Sequence, residues 1–221
     1  MSRLTLASLL AILLVSGCTF GMKREGDSVT GPTANDQGFS LLTDAGIAEI
    51  NRTKSGRFDL RSGRLSKSAV GLEGLDRGAM IGHPGGSQYT FAFLGPISDE
   101  RITTQNITFA SHDTHDFFTI VWFSAPESLE AAHAELRAGV EHWGWHPRLV
   151  QQWFDSVNWP PSSNTEAFRS VISMGVSKSG LVVDVQGTRK DGKEVLQYGI
   201  YLGDKYYTSE TQQKIRDTGR S

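Results

Sequence analysis

The stretch LVVDVQGTRKDGKEVLQYGIYL, residues 181–202, decides the fold of this chain. Near its centre lies Asp191-Gly192, a residue pair typical of a two-residue type I′ turn between antiparallel strands. On both sides of this pair, apolar residues recur at every second position, as in a strand with one buried face. The stretch therefore predicts a β-hairpin closed at Asp191-Gly192.

This turn also fixes which residues of the two strands lie opposite each other. With the turn at Asp191-Gly192, apolar residues face apolar residues and a cation faces an anion. A shift of one residue would destroy both matches, because it moves every side chain to the other face. The predicted pairs are Leu181 with Leu202, Val183 with Ile200, Val185 with Tyr198, Arg189 with Glu194, and the unfavourable pair Lys190 with Lys193.

Further strands are predicted on the N-terminal side of the hairpin. Ile172, Met174 and Val176 alternate with small or polar residues, and the turn residues 178–180 connect them to the hairpin in a three-stranded antiparallel meander. A second such meander is predicted upstream, because aromatic and β-branched residues alternate in three further stretches. These stretches are 89–93, 106–109 and 117–123.

Two helices are predicted between the meanders. The first begins at Ser124, which forms a capping box with Glu127 three residues later. Gly144 and Pro147 interrupt it, and the second helix begins at Pro147 and ends before residues 158–161. We expect the two helices to pack as a hairpin over a sheet. Their apolar positions are Leu129, His133, Leu136 and Val140 in the first helix and Leu149, Val150, Trp153, Phe154 and Val157 in the second.

This order of elements predicts an α+β fold, in which antiparallel β-meanders flank a central helical hairpin within one globular domain, residues 39–208.

A short helix is predicted over residues 43–51, and loops with short strands over residues 55–87. Within these loops, Gly82-His83-Pro84-Gly85-Gly86 is kept as a candidate site, because long loops in compact domains are often functional. Residues 18–38 are predicted to be a flexible tether, and residues 209–221 a polar C-terminal tail.

The N-terminus has the parts of a secretion signal. Arg3 gives a cationic start, an apolar run of about 12 residues follows, and Ser16-Gly17-Cys18 ends it. The run is too short to cross a bilayer, which takes roughly 20 apolar residues. Cys18 is the only cysteine of the chain, so an intramolecular disulfide is excluded.

Residues 1–18 resemble the signal peptide of a bacterial lipoprotein, in which a box of small residues precedes a cysteine. The resemblance implies cleavage before Cys18, diacylation of its thiol and commonly a third acyl chain on its amine, and two or more chains anchor a protein stably. It also implies the outer membrane, because Thr19 replaces the Asp that retains such lipoproteins in the inner membrane of Gram-negative bacteria. We expect a periplasm-facing protein; the alternative is an ordinary cleaved signal with an incidental cysteine.

The charge balance excludes one class of partner. The chain has 22 Lys and Arg against 24 Asp and Glu, a formal net charge of −2. No basic run is longer than the two residues of Lys23-Arg24. Neither feature fits a nucleic-acid-binding protein or a polybasic membrane patch.

The sharpest cluster of chemically active residues is Ser111-His112-Asp113-Thr114-His115-Asp116, which joins two predicted strands. Two imidazoles three residues apart with adjacent carboxylates suit zinc ligation, or a base with an orienting acid. Ser, Asp and Thr are equally the residues with which a hairpin loop caps its own backbone. The candidate catalytic residues are therefore His112, Asp113, His115 and Asp116, with a purely structural turn as the alternative.

A second pair of histidines, His142 and His146, has the four-residue spacing of two metal ligands on one helix face. Gly144 and Pro147 interrupt that helix, so the alternative is a helix end and a cap. His133 lies in an apolar stripe and is expected at the edge of the core. The candidate metal ligands are His112, His115, His142 and His146, with zinc as the implied ion; the alternative is that the protein has no cofactor.

Four tryptophans fall between residues 143 and 159. Trp143 and Trp153 lie on helical positions that suit packing between helix and sheet. Trp145 and Trp159 lie in predicted helix breaks, so they are the candidate partner-binding residues.

Two functions follow from these features. The chain lacks the Gly-x-Ser-x-Gly, Ser-x-x-Lys and His-Glu-x-x-His motifs. The first hypothesis is a lipid-anchored envelope protein that acts as a non-catalytic binding or assembly module with an envelope protein partner, for example a complex accessory or an immunity-type protein. The alternative is a periplasmic hydrolase, metal-dependent or acid/base, that uses the loop with His112 and His115.

Overall fold

The computed structural model describes residues 30–157, 168–190 and 193–219. The described chain is a single mixed α+β domain whose strands form two sheets, which confirms the predicted fold class. The helices are α1 (Asp44–Thr53), α2 (Leu129–Trp143), α3 (Pro147–Val157) and α4 (Ser209–Thr218). The strands are β1 (Ser55–Asp59), β2 (Ala79–Gly82), β3 (Tyr89–Leu94), β4 (Asp99–Thr104), β5 (Asn106–Ser111), β6 (Phe117–Ser124), β7 (Phe168–Val176), β8 (Val182–Lys190) and β9 (Lys193–Tyr201).

The C-terminal hairpin has the predicted register. Val183 pairs with Ile200 and Val185 with Tyr198, and all four residues are buried. The pairing continues to Arg189 opposite Glu194 and Lys190 opposite Lys193. The turn residues Asp191-Gly192 lie outside the described residues. The register follows because only this alignment puts the apolar positions of both strands on one face.

The larger sheet has six strands in the order β2-β5-β6-β9-β8-β7, and every neighbouring pair is antiparallel. β7 joins β8 through the predicted turn, in which Gly180 adopts a φ of +84° that favours glycine. The predicted C-terminal meander of three strands is therefore confirmed.

The predicted N-terminal meander is wrong in one strand. β5 and β6 pair as expected, but β3 belongs to a separate three-stranded sheet of order β1-β3-β4, in which β1 runs parallel to β3. β4 was not predicted; its buried positions are Glu100, Ile102 and Thr104. Only one of these three residues is apolar, so the alternation of apolar and polar residues that marks a half-buried strand is absent.

The two sheets meet through aromatic side chains. Phe58 of β1 lies with its ring centroid 4.7 Å from that of Phe109 of β5, and 5.8 Å from that of Phe93 of β3. All three rings are fully buried. Each ring removes a large apolar surface from water, and tilted or offset contacts of this kind add to that gain.

The helical hairpin over the larger sheet is confirmed, although its first helix begins four residues later than expected. Ser128 is the N-cap of α2, and its hydroxyl accepts a hydrogen bond from the backbone N–H of Ala131 at 3.1 Å. Ser124 instead remains the last residue of β6, because the strand continues through the predicted capping box. Gly144, at a φ of +70°, ends α2, and α3 begins at Pro147 as predicted.

Of the two terminal helices, α1 was predicted from the sequence and α4 was not. α1 begins after Thr43, whose hydroxyl caps it, and buries Ile50 as expected. The expected polar tail forms helix α4, which is capped by the hydroxyl of Thr208. None of the residues of α4 is buried, so it has no apolar stripe from which a helix is recognised.

Candidate functional site

The loop that contains His112 and His115 is organised by backbone capping. Asp113 Oδ1 accepts hydrogen bonds from the backbone N–H groups of His115 at 2.7 Å and Asp116 at 3.0 Å. The bond from Asp116, followed by that from His115, lowers the pKa of the Asp113 carboxyl. The His112 ring stacks on Phe118 at a centroid distance of 3.8 Å. Asp113 thus acts as a turn residue, which favours the structural alternative for this loop.

A buried lysine fastens the same loop to the preceding segment. Lys67 is fully buried, and its ammonium group donates hydrogen bonds to the carbonyl oxygens of Leu75, at 2.5 Å, and Asp113. Asp116 lies 3.5 Å from the guanidinium of Arg64. Three charged side chains of this region therefore hold two loops together.

The two groups of candidate histidines lie at different ends of β6. The loop with His112 and His115 precedes the first residue of β6, whereas Trp122, near its other end, contacts Trp143 with a centroid distance of 6.0 Å. At about 3.3 Å per residue, roughly 16 Å of strand separate the loop from this contact. Within the described ranges, no three His, Cys, Asp or Glu side chains are grouped so as to hold a metal ion.

His142 and His146 have separate roles. His142 Nε2 lies 3.1 Å from Glu100 Oε1. The carbonyl oxygen of His146 accepts the first backbone hydrogen bonds of α3, and its Nδ1 accepts the N–H of Arg148 at 3.2 Å. The pair is therefore a helix end and a cap, the alternative that the broken helix predicted.

His133 packs at the interface of the two helices. Its ring stacks on that of Phe154 of α3 at a centroid distance of 3.9 Å. Burial lowers the pKa of His133, and the nearby Arg137 adds to this shift. The imidazole therefore contributes to packing, as expected of a histidine at the edge of the core.

The prediction of a surface role for Trp145 is wrong. Its side chain is only 2% exposed, and its indole N–H donates to the carbonyl oxygen of Val183 at 3.1 Å. Gly139 makes this burial possible, because a Cβ there would lie 2.3 Å from Trp145 Cζ3. Trp159, the other candidate, lies outside the described residues, as does Cys18.

A groove of about 630 Å³ lies between β4 and α2. One wall consists of the consecutive residues 101–105 of β4 and the bend that follows it. The opposite wall consists of α2 residues with the spacing of a single helix face. These helix residues are Glu135, Ala138, Gly139 and His142, and the floor contains Trp122, Trp143 and Tyr198.

The floor of this groove is a stack of aromatic rings. Trp122 pairs with Tyr198 across β6 and β9, and their rings stack with a centroid distance of 5.2 Å. Tyr198 also lies 5.8 Å from Trp145, which in turn stacks on Trp143 at 6.3 Å. The register of the C-terminal hairpin thus determines the position of the rings on which the groove is built.

Two carboxylates hold the residues at the ends of the groove: Glu135 is part of its lining, and Glu100 lies beside it and contacts the lining residue His142. At one end, Glu100 accepts a hydrogen bond from Ser179 at 3.0 Å and pairs with His142. At the other end, Glu135 accepts hydrogen bonds from the hydroxyl groups of Tyr198 and, at 2.9 Å, Ser124. Burial, together with the neighbouring Glu135, raises the pKa of Tyr198. The Tyr198 hydroxyl therefore stays protonated and serves as a donor.

Ser179, Glu100 and His142 are the residue types of a catalytic triad, but their order is different. In a triad the imidazole lies between the hydroxyl and the carboxylate, so that it can take the hydroxyl proton. Here Glu100 lies between Ser179 and His142. Ser179 is also only 1% exposed. The arrangement supports α2 and the turn after β7 rather than activating a nucleophile.

Sequence reasoning did not find the two carboxylates of the groove. Glu100 is paired with a residue 42 positions away, and Glu135 with one 63 positions away. Neither belongs to a local motif, so spacing along the chain contains no signal for them. His142 was singled out, but as a metal ligand.

The chain matches no protein-family model, no curated protein and no solved structure. Within the described residues, no helix combines the length and the apolar composition needed to cross a membrane.

Proposed function

We propose that this chain is a lipid-anchored protein of the bacterial cell envelope that binds an envelope protein without catalysing a reaction. Cys18 with its preceding small residues supports the anchor, and Thr19 supports the outer membrane, with the domain facing the periplasm. Envelope-complex accessory proteins and immunity-type proteins belong to this class. Its partners are thus the membrane, through the lipid, and a protein of the same compartment.

The groove between β4 and α2 is the observation behind the binding role. It combines a stacked aromatic floor with polar groups at both ends, the composition of a ligand site. The carboxylates of Glu100 and Glu135 are already engaged by hydroxyl groups, and Glu100 also by an imidazole. These contacts hold the groove in shape, which reduces the cost of ordering it when a partner binds.

No observation favours the alternative of a hydrolase that uses the loop of residues 111–116. Asp113 is engaged by backbone N–H groups and Asp116 by Arg64. His112 stacks on Phe118, and neither it nor His115 lies at the groove.

Membrane fractionation tests the anchor. Cys18→Ser in the full chain is expected to release the protein from membranes or to leave it unprocessed. Ser16→Ala keeps the box of small residues and is expected to be processed and anchored normally. A mature, membrane-bound Cys18→Ser protein contradicts the lipid anchor.

Substitution of Thr19 tests the assignment to the outer membrane. Thr19→Asp is expected to move the protein from the outer to the inner membrane, whereas Thr19→Asn leaves it in the outer membrane. An identical distribution of both variants in a density gradient contradicts the outer-membrane assignment.

Cross-linking in intact cells tests the binding role. The lipidated chain is expected to give one stoichiometric cross-linked product. Ala138→Trp fills the groove and removes that product, whereas Ala134→Trp, on an exposed position outside the groove, keeps it. The proposal fails if no stoichiometric product forms, or if Ala138→Trp retains it.

A further inference from the structure

We propose that the groove takes an extended polypeptide segment of the partner, which pairs with β4 as an additional strand and places an acidic residue opposite Arg101. This inference rests on the proposed binding function and names the chemistry of its ligand. Strand addition to a free sheet edge is a recurring mode of peptide recognition, in which backbone hydrogen bonds provide affinity and side-chain contacts provide specificity.

The hydrogen bonds of β3 and β4 show which backbone groups face away from their sheet. Beyond the pair Leu94 and Asp99, the N–H of Gly95 donates to the carbonyl oxygen of Ser98 at 3.1 Å. Bonded and non-bonded pairs alternate along an antiparallel ladder. Because the pair of Gly95 and Ser98 is bonded, every second pair along the ladder is bonded, and Arg101 and Thr103 belong to the non-bonded pairs between them. Their N–H and C=O groups therefore point away from β3.

Two further bonds give the same alternation. The N–H of Arg101 donates to Glu100 Oε1 at 3.2 Å, so it does not point into the ladder with β3. Because this N–H is already engaged, an added strand pairs with Arg101 through its carbonyl oxygen and with Thr103 through both backbone groups. Thr90, the partner of Thr103, donates its N–H to Lys54 at 2.9 Å, on the side of β3 away from β4. Hydrogen bonds of both β3 and β4 therefore show that the backbone groups of Arg101 and Thr103 point away from β3.

The groove lies along this free edge. β4 is the last strand of its sheet, and no other strand of the described chain pairs with its outer side. The cavity is lined by both odd- and even-numbered residues of 101–105. Because successive side chains point to opposite faces of a sheet, a cavity that both sets line is beside the strand rather than over one face.

The length of the groove suits a short extended segment. Residues 101–105 of β4 span roughly 13 Å at about 3.3 Å per residue, and the helix wall from Glu135 to His142 spans about 10 Å. The bonds of Glu100 with His142 and of Ser124 with Glu135 define the two ends. About four residues of extended chain fit between them, with alternate side chains directed toward the aromatic floor.

Arg101 supplies the charge preference. Its side chain is exposed on the rim of the groove, and no hydrogen bond or ion pair joins its guanidinium to another residue of the described ranges. An acidic residue directly opposite on an added strand forms a favourable cross-strand pair. The groove therefore selects a segment with an Asp or Glu at that position.

The probe for the test is a phage-displayed library of random linear 12-residue peptides, selected on the detergent-solubilised lipidated chain. Binding of synthetic versions of the selected peptides is measured by fluorescence anisotropy. The selected sequences are expected to share an acidic position. Arg101→Glu is expected to weaken binding about tenfold or more, and replacing the acidic residue of the peptide by Lys restores binding to this variant.

Backbone pairing is tested at Thr103. Thr103→Pro removes an outward N–H, which an edge strand tolerates, whereas Thr103→Ala removes the side chain and keeps the N–H. Thr103→Pro is expected to bind about tenfold more weakly than Thr103→Ala, because only Thr103→Pro lacks the N–H. Circular dichroism and a thermal melt verify that both variants are folded.

Methylation of the peptide gives a second measurement that does not depend on the folding of a variant. N-methyl groups introduced one at a time along the selected peptide are expected to abolish binding at every second position. This period of two is specific to strand pairing.

Several outcomes overturn strand addition. They are the failure to enrich any peptide, an N-methyl scan without a period of two, and equal binding of folded Thr103→Pro and Thr103→Ala. Purified peptidoglycan sacculi are a parallel probe, and binding to them that Ala138→Trp abolishes but Thr103→Pro leaves unchanged points to a glycan ligand instead. If Ala138→Trp still removes the cross-linked partner in cells, the binding function stands while this inference fails.

Discussion

Glu100 and His142 form a pair across the groove, with Glu100 Oε1 lying 3.1 Å from His142 Nε2. The Glu100 side chain is 7% exposed and that of His142 45%, so the carboxylate is buried while the imidazole reaches solvent. This contact joins the last turn of α2 to an edge strand of the other sheet. It therefore fixes the width of the groove at one end.

Removal of this contact is expected to lower stability. Glu100→Ala leaves Ser179 and His142 without their acceptor, which costs about 2 kcal/mol of unfolding free energy, whereas Glu100→Gln keeps one acceptor oxygen and costs about 1 kcal/mol. Urea unfolding measures both. A double-mutant cycle with His142→Ala isolates the pair, and a coupling energy of zero would show that Glu100 acts through Ser179 alone.

Gly139→Ala tests the packing beneath α2. Alanine is the better helix former, yet its Cβ would lie 2.3 Å from Trp145 Cζ3 and 2.9 Å from Trp143 Cδ1. Overpacking of this kind is expected to cost about 1–3 kcal/mol and to shift the tryptophan fluorescence. Ala134→Gly, on the exposed face, is the matched control and costs only about 1 kcal/mol through helix propensity. A Gly139→Ala protein more stable than the wild type contradicts the close contact.

The contrast between the C-terminal hairpin and the groove shows what local sequence encodes. The hairpin was predictable to its register, because turn residues and alternation agree within 22 residues of chain. The groove was not predictable. Its edge strand β4 buries the polar residues Glu100 and Thr104, and the residue pairs at the two ends of the groove are separated by 42 and 11 positions in the chain. Trp145 was placed on the surface for the same reason: the carbonyl of Val183 that satisfies its indole is 38 residues away.

Lys67→Met is expected to destabilise the loops beside β5 and β6. Methionine fills the space of the buried stem, but the carbonyl oxygens of Leu75 and Asp113 lose their charged donor. The expected loss is about 2–3 kcal/mol of unfolding free energy. Lys178→Met, which removes an exposed ion pair with Glu141, changes stability by less than about 0.5 kcal/mol. Urea midpoints of the two variants that agree within error contradict a structural role for Lys67.

Alkaline pH is expected to weaken the fold through Tyr207. Burial raises the pKa of Tyr207 from 10.0 to about 12, so between these values the folded protein holds a proton that the unfolded chain has lost. Stability is then fully present below pH 10 and falls as pH rises toward 12, by up to about 1.4 kcal/mol per pH unit for one proton. Tyr207→Phe removes this contribution and flattens the decline, whereas Tyr201, whose pKa burial also raises to about 12, contributes equally in both proteins. Urea unfolding at half-unit steps from pH 9 to pH 12 measures both slopes, and equal slopes for the wild type and Tyr207→Phe would show that this hydroxyl does not titrate with folding.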